Sequence, residues 1–334
     1  MREGILSAIG KTPLVRLKRI FEDDSFRLYA KLEALNPGGS MKDRPALSII
    51  ENALATGRIG SETVVIESSS GNMGIGLAQA CSYYGLRFIC VVDSKTTLQN
   101  IRLLNAYRAE VDMVSQPDPE TGEYLPARIR RVRELLGVFE DSFWPDQYSN
   151  EYNPIAHHQT MHEIVTALEG EIDYLFCATS TCGTLRGCAE YISQHRLGAR
   201  VFAVDAVGSV IFGGENKKRL IPGHGAAVRP QLYRPGLADE VVHVADLDCV
   251  VACRQLAVRE AILAGGSSGA IISAVGQVKD RFLRGTTCAV ILPDRGERYL
   301  DTIYSDQWVT KHFGEVSHLW SPAAEEISNA TVAY

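Results

Sequence analysis

The chain has 334 residues, of which 46% are hydrophobic and 22% charged, which excludes a disordered or low-complexity polypeptide. Its 34 basic and 40 acidic residues leave a net charge of −6, so no overall field draws in DNA, RNA or an anionic membrane. The length suits two domains or one large one.

No apolar run approaches the roughly 20 residues needed to span a bilayer. The opening stretch Met1–Ser7 lacks the apolar core of a secretory leader. The expected location is the cytoplasm, with neither a membrane nor a nucleic acid as partner. There Cys81, Cys90, Cys177, Cys182, Cys188, Cys249, Cys253 and Cys288 should be reduced thiols. Cys249 and Cys253 fall on one helical face, but the chain offers no second pair or histidine spacing, so no metal is expected.

Strand-like and helix-period segments alternate in chain order. Residues 27–32 read as a strand and 43–55 as a helix. Strand 64–66, helix 72–84, strand 88–92, helix 98–106, strand 111–114 and a charged helix around 127–136 follow. The second half offers strands at 174–178, 201–204 and 289–292, with helices at 184–193, 248–264 and 269–281. His157, His158 and His162 share a further helix and read as surface or core residues. Polar, Pro/Gly-rich loops are expected at 116–124 and 220–236, and a loose tail beyond 321. Alternation of this kind, with continuously apolar strands, points to an α/β protein with parallel sheets covered on both faces.

Four small-residue turns carry the chemistry. In Asn36-Pro-Gly-Gly-Ser-Met-Lys42-Asp-Arg-Pro45, Ser40 is placed to cap a helix whose first turn holds Lys42. A cation at a helix N-terminus is disfavoured, which promotes the neutral amine that attacks aldehydes and serves as a base. A surface lysine beside Asp43 and Arg44 is the bland alternative. Glu67-Ser-Ser-Ser-Gly71-Asn-Met-Gly74-Ile-Gly76 joins a strand to a helix and can face an anion. Its glycine spacing departs from the dinucleotide fingerprint Gly-x-Gly-x-x-Gly, which argues against a nicotinamide cofactor. Ser180-Thr-Cys-Gly-Thr184 offers an anion nest or simple N-capping, and Gly265-Gly-Ser-Ser-Gly269 a tight interhelical turn.

In this order and at these separations, the four turns resemble the fold-type II pyridoxal-phosphate enzymes (tryptophan synthase β-like), of which cysteine synthases and cystathionine β-synthase are members. The likeness runs from Gly10-Lys-Thr-Pro-Leu-Val to Leu292-Pro-Asp-Arg-Gly-Glu-Arg-Tyr-Leu300. It implies an α/β fold of two domains with parallel-rich sheets flanked by helices. The smaller, mobile, substrate-binding domain would span 44–150, and the cofactor domain 1–43 plus 151–320. The implied cofactor is pyridoxal 5′-phosphate, with Lys42 as its Schiff-base lysine and the catalytic base. Asn72 would bond the ring oxygen. Ser180, Thr181, Cys182, Gly183 and Thr184 would hold the phosphate, and Ser267 would sit at the pyridine nitrogen. Ser69, Ser70, Gly71, Met73 and Gln147 would bind the substrate carboxylate.

Two departures stand out: Met73 replaces a threonine usual in cysteine synthases, and Ser-Thr-Cys-Gly-Thr replaces Gly-Thr-Gly-Gly-Thr. The lysine motif, Val204-Asp-Ala-x-Gly-Ser-Val-Ile-Phe-Gly213, Leu292–Asp301 and Tyr304-Ser-Asp-x-Trp308 are similar instead to the 2,3-diaminopropionate branch. That branch joins O-phosphoserine to glutamate, giving N-(2-amino-2-carboxyethyl)-L-glutamate for siderophore biosynthesis. The implied enzyme is a β-replacement transferase and a homodimer, with cysteine synthase as the alternative. Its substrate phosphate needs a second anion site, for which Arg128 and Tyr148 are candidates. Arg128 also fits a solvated helix face, and Arg295 an ion pair with Asp294 or Glu297.

Overall fold

A computed structural model describes residues 4–22 and 25–320. In chain order its regular elements are β1 (Leu14–Leu17), β2 (Arg27–Leu32), α1 (Asp43–Ala55), β3 (Val64–Ser68), α2 (Asn72–Tyr84), β4 (Arg87–Asp93), α3 (Leu98–Ala106), β5 (Glu110–Val114), α4 (Tyr124–Val138) and β6 (Ser142–Phe143). There follow α5 (Tyr152–Ala167), β7 (Tyr174–Ala178), α6 (Gly183–Gln194), β8 (Arg200–Ala206), β9 (Glu240–Val244), α7 (Asp246–Arg259), α8 (Gly266–Val278), β10 (Thr287–Leu292) and α9 (Asp306–Phe313).

The strands form two sheets. The larger runs β1-β2-β10-β7-β8-β9 and the smaller β5-β4-β3-β6. The β1–β2 pair is antiparallel, and every other pairing is parallel. All five residues of β3 and all six of β10 are buried, which explains why these strands read as unbroken apolar runs. Helices cover both faces of each sheet. Around the larger, Phe176, Phe202, Leu256 and Ile271 build a core with α7 and α8, while Leu175, Met161, Leu185 and Cys188 build one with α5 and α6. Around the smaller, Ile50, Leu77 and Phe88 pack with α1 and α2, and Ile66, Val91 and Val132 with α4.

A buried charge cluster joins the two halves. The Arg44 guanidinium, on the first turn of α1, donates to both oxygens of Glu33 at 2.7 and 2.8 Å and to both of Glu163, on α5, at 2.9 and 2.8 Å. Lys31, from β2, donates to Glu163 at 2.6 Å, and Thr12 donates to Glu33 at 2.7 Å. Two cations thus meet two carboxylates, the condition under which burying charge is tolerable. All eight cysteines are buried free thiols, and no helix among the described residues is long and apolar enough to cross a membrane. The residues beyond 321 read as a tail lie outside those described.

Candidate active site

The C-terminal ends of β3, β7 and β10 converge on a cavity of about 530 Å³, the side where α/β sheets place ligands. Lys42, the loop from Ser69 to Met73, Arg128, Gln147, Tyr148, the turn from Ser180 to Thr184 and Ser267 all line it. Residues scattered over more than 220 positions of sequence therefore share one wall-to-wall site.

Lys42 is the residue on which α1 starts, not a member of its first turn. Ser40 caps no helix; its hydroxyl accepts from the Lys42 N–H at 3.1 Å, because the cap position falls on Lys42, two residues further on. Removal from water lowers the Lys42 pKa to about 8, against the pull of Asp294 and Cys182, which favour the charged form.

The 69–73 loop is held from below. The Ser69 hydroxyl accepts from the Gly74 N–H at 2.9 Å, so the loop turns tightly into α2. Gly71, ahead of Asn72, makes no side-chain cap. Glu67 accepts from Ser68 N–H at 2.7 Å, the Trp144 indole at 3.2 Å and Gln147 N–H at 3.2 Å. Burial pushes its carboxyl up to about 7 in spite of these bonds. One carboxyl thereby ties the loop carrying Ser69 to that carrying Gln147, whose own amide donates to the Ser68 carbonyl at 3.3 Å.

The 180–184 turn lines the cavity and leads into α6 with Cys182 at φ 65°, the left-handed conformation found in backbone anion nests. Gly183 is required: a Cβ there would lie 2.2 Å from Asn153 Oδ1. Neither Thr181 nor Thr184 caps α6. Thr181 accepts from Gly183 N–H at 3.3 Å, and Thr184 shares a 3.2 Å bond with the buried His157, so the histidine holds a cavity hydroxyl. Ser267 falls in the first turn of α8, which starts three residues earlier than the sequence suggests and ends at Val278.

The model for the family described as "Pyridoxal-phosphate dependent enzyme" matches residues 5–294. The chain belongs to the pyridoxal-phosphate dependent enzymes. Among solved structures, O-ureido-L-serine synthase is 30% identical with a TM-score of 0.85, over 95% of this chain and 98% of that one. An O-acetylserine dependent cystathionine beta-synthase from Helicobacter pylori is 31% identical, with a TM-score of 0.84 over 91% and 99%. A cysteine synthase from Entamoeba histolytica is 30% identical, with a TM-score of 0.83 over 95% and 96%. The fold is that of the fold-type II pyridoxal-phosphate enzymes of the cysteine synthase type.

The residues present fit this cofactor. A primary amine with a lowered pKa faces the cavity, a nest of N–H groups at the start of α6 suits a phosphate, and Asp294 Oδ1 is a buried acceptor without a partner. The enzyme stripped of cofactor should capture pyridoxal phosphate at a rate that climbs with pH, reaches half its plateau near pH 8 and levels off about a unit above, as the neutral amine becomes the main form. Stopped-flow absorbance checks this; a rate still climbing toward pH 10 would mean an ordinary lysine.

Several cavity residues had no site role in the sequence reading, three of them past the end of β10. Asp294, Arg298 and Tyr299 follow β10 and line the enzyme's site, whereas Arg295 between them does not. Arg295 is exposed, and its Nε donates to the Ala34 carbonyl at 2.8 Å rather than to Asp294, Glu297 or a cavity ligand. Their signal was positional: charged side chains immediately past the end of a buried parallel strand.

Proposed function

We propose that the enzyme replaces the phosphate of O-phospho-L-serine with the amine of L-glutamate, yielding N-(2-amino-2-carboxyethyl)-L-glutamate and phosphate. The observation that carries this reading is Arg128. The residue is only 8% exposed and lines the same cavity as Lys42, so it is no solvated charge. Asp93 lies 3.3 Å from its Nε without hydrogen-bond geometry, and Nε and Nη1 have no bonding partner. A buried guanidinium with unused donors suits a dianionic phosphate far better than a neutral ester. Tyr148 lies close enough to feel the Arg128 charge, though burial dominates and raises its pKa. It supplies a hydroxyl beside that guanidinium.

When bound, pyridoxal phosphate supplies the electron sink that makes the Cα proton and the β-substituent labile. Lys42 takes that proton from Cα and returns it after the acceptor has added. The N–H groups of 180–184, with Thr181 and Thr184, grip the cofactor phosphate. Ser267 offers a neutral hydrogen bond at the ring nitrogen, and Asn72 one at the ring oxygen. Ser69, Ser70, Gly71, Met73 and Gln147 surround the amino-acid carboxylate. On the same reading residues 44–150 form the substrate-binding domain, and the enzyme works as a cytoplasmic homodimer in siderophore biosynthesis.

Substituting Arg128→Met should lower kcat/KM for O-phosphoserine by roughly 10–100-fold, the worth of a charge-assisted bond, while O-acetylserine turnover holds. Phosphate release and product mass, with glutamate or sulfide as acceptor, read the result. Equal loss on both donors would remove the phosphate role. Faster turnover with sulfide than with glutamate would make the enzyme a cysteine synthase.

A further inference from the structure

We propose that Arg298 and Asp294 are positioning residues that lock the side-chain amide of Asn72, and so fix the donor it offers to bound pyridoxal phosphate. The inference rests on the cofactor and on Asn72 facing its ring oxygen; it is independent of which donor and acceptor the enzyme uses.

Asn72 opens α2, and its amide is read from both ends. The Arg298 guanidinium donates to Asn72 Oδ1, while Asn72 Nδ2 donates to Asp294 Oδ2 at 2.7 Å. A guanidinium can only donate, so the amide oxygen must face Arg298 and the NH2 must face away from it, toward Asp294. Its oxygen is turned toward Arg298 and its NH2 toward the Asp294 side of the cavity. One N–H is used by Asp294, and the second is left for the cofactor.

Both locking residues are themselves fixed. Arg298 donates also to the Gly38 carbonyl, in the turn that precedes Lys42. Tyr299 donates to Asp294 Oδ2 at 2.5 Å. Met41 N–H donates to Pro293 O at 2.8 Å and Arg295 N–H to Gly39 O at 3.2 Å, so the strand end and the lysine turn form one rigid unit. Room for the carboxylate depends on Gly265, where a Cβ would stand 2.1 Å from Asp294 Oδ1.

A structural role alone does not account for this arrangement. Asp294 is 1% exposed and lines the cavity with Lys42, yet its Oδ1, packed against Gly265, is without a hydrogen-bond partner. A carboxylate placed only to brace a turn would have both oxygens satisfied. Without Arg298 only Asp294 holds the amide, and orientations that present its oxygen to the anionic ring oxygen become accessible. That oxygen then loses its donor and retains a proton instead.

The test uses cofactor-loaded enzyme carrying Asn72→Ala, Arg298→Met, Arg298→Lys, Asp294→Asn or the pair N72A/R298M. The tautomer with its proton on the ring oxygen absorbs in the near ultraviolet, and the one with an anionic oxygen absorbs in the visible. N72A and R298M should each raise the near-ultraviolet share and speed cofactor release roughly tenfold, as expected for one lost charge-assisted bond. The pair should match N72A alone, and R298K should recover part of the visible band. An R298M spectrum like that of the unaltered enzyme, or a pair equal to the sum of the single changes, would overturn the proposal. So would an unchanged N72A spectrum, which would leave nothing to position while the Lys42-linked band still confirmed the cofactor. Should R298M fail to fold by circular dichroism, R298K and D294N carry the same comparison.

Discussion

Replacing Lys42 with alanine should lower turnover roughly 10²–10⁴-fold while leaving the fold intact, the range usual for loss of a positioned general base. The side chain contributes no packing that alanine would forfeit at great cost, since its amine faces the cavity and makes no hydrogen bond that holds α1 in place. What disappears is a buried lysine amine with a pKa near 8. Asp294 and Cys182 would remain facing the gap, and neither can form a covalent link to an aldehyde carbon as a primary amine does. Two readouts check the result. The visible band of the lysine-linked cofactor should vanish, and borohydride reduction should no longer add the cofactor mass to the chain. A small primary amine added to the buffer should restore part of the proton transfer. Retention of the reduced mass adduct in the alanine variant would move the attachment point to another lysine.

The second large effect lies away from the chemistry. Arg44→Met should destabilise the protein by about 3–5 kcal/mol, the usual consequence of stranding a buried charge. Glu33 is fully buried and would keep only Thr12 and Asn36 as donors. Burial pushes the Glu163 carboxyl up, but bonds from Arg44 and Lys31 outweigh it and bring it down to about 2. A carboxylate with a depressed pKa contributes stability above its unfolded value near 4.5, and that contribution drains away as pH falls toward 2. The variant should therefore lose most at neutral pH, and its acid limb should be flatter. Urea titrations at pH 7 and pH 4 measure both, with a lower midpoint at constant slope as the expected form. A loss below about 1 kcal/mol would mean that methionine packs as well as the ion pairs do.

Much of the scaffold was legible because local chemistry and tertiary context agree. Residues 43–55, 72–84 and 98–106 are helices over the bounds that periodicity and punctuation suggest, and 174–178 is a strand as expected. Error collected where the two disagree. Strand β1 is short, and its Leu14-Val-Arg-Leu17 pattern leaves only Leu17 buried; β9 alternates buried and exposed positions at a sheet edge. Both are short, which weakens any periodic signal. The segment read as a helix to 264 stops at Arg259, since Ala261 takes a left-handed φ of 56° and Gly265 must stay free for Asp294.

The site was legible in its small-residue turns, whose spacing announces backbone donors. It was far less so in its charged residues. Helix α4 carries Arg128, Arg130, Arg131 and Arg133, and spacing alone does not say which faces inward. The structure separates them: Arg130 bonds Asp118 at 2.8 Å, Arg131 bonds Asp112 at 2.9 Å, and Arg128 turns to the cavity. Arg298 was hidden for a different reason. Its partners, Asn72 and Gly38, are remote in sequence; the β2–β10 pairing brings the Gly38 turn beside it, and Asn72 comes from the other sheet.

That pairing has a consequence for how the protein comes to exist in a cell. Strand β2 has β1 on one side and β10 on the other, with Arg27 opposite Thr287 and Leu32 opposite Leu292. During synthesis the edge of β2 must wait for almost the entire remaining chain to leave the ribosome, on the order of tens of seconds at ordinary elongation rates. The smaller sheet, made from residues 64–143, can form during that wait. Lys42 meets Asp294 only at the end, so a nascent chain halted before β10 would carry its lysine without the pocket that tunes it. Cofactor capture should then mark completion of the polypeptide, and prematurely terminated products should stay colourless.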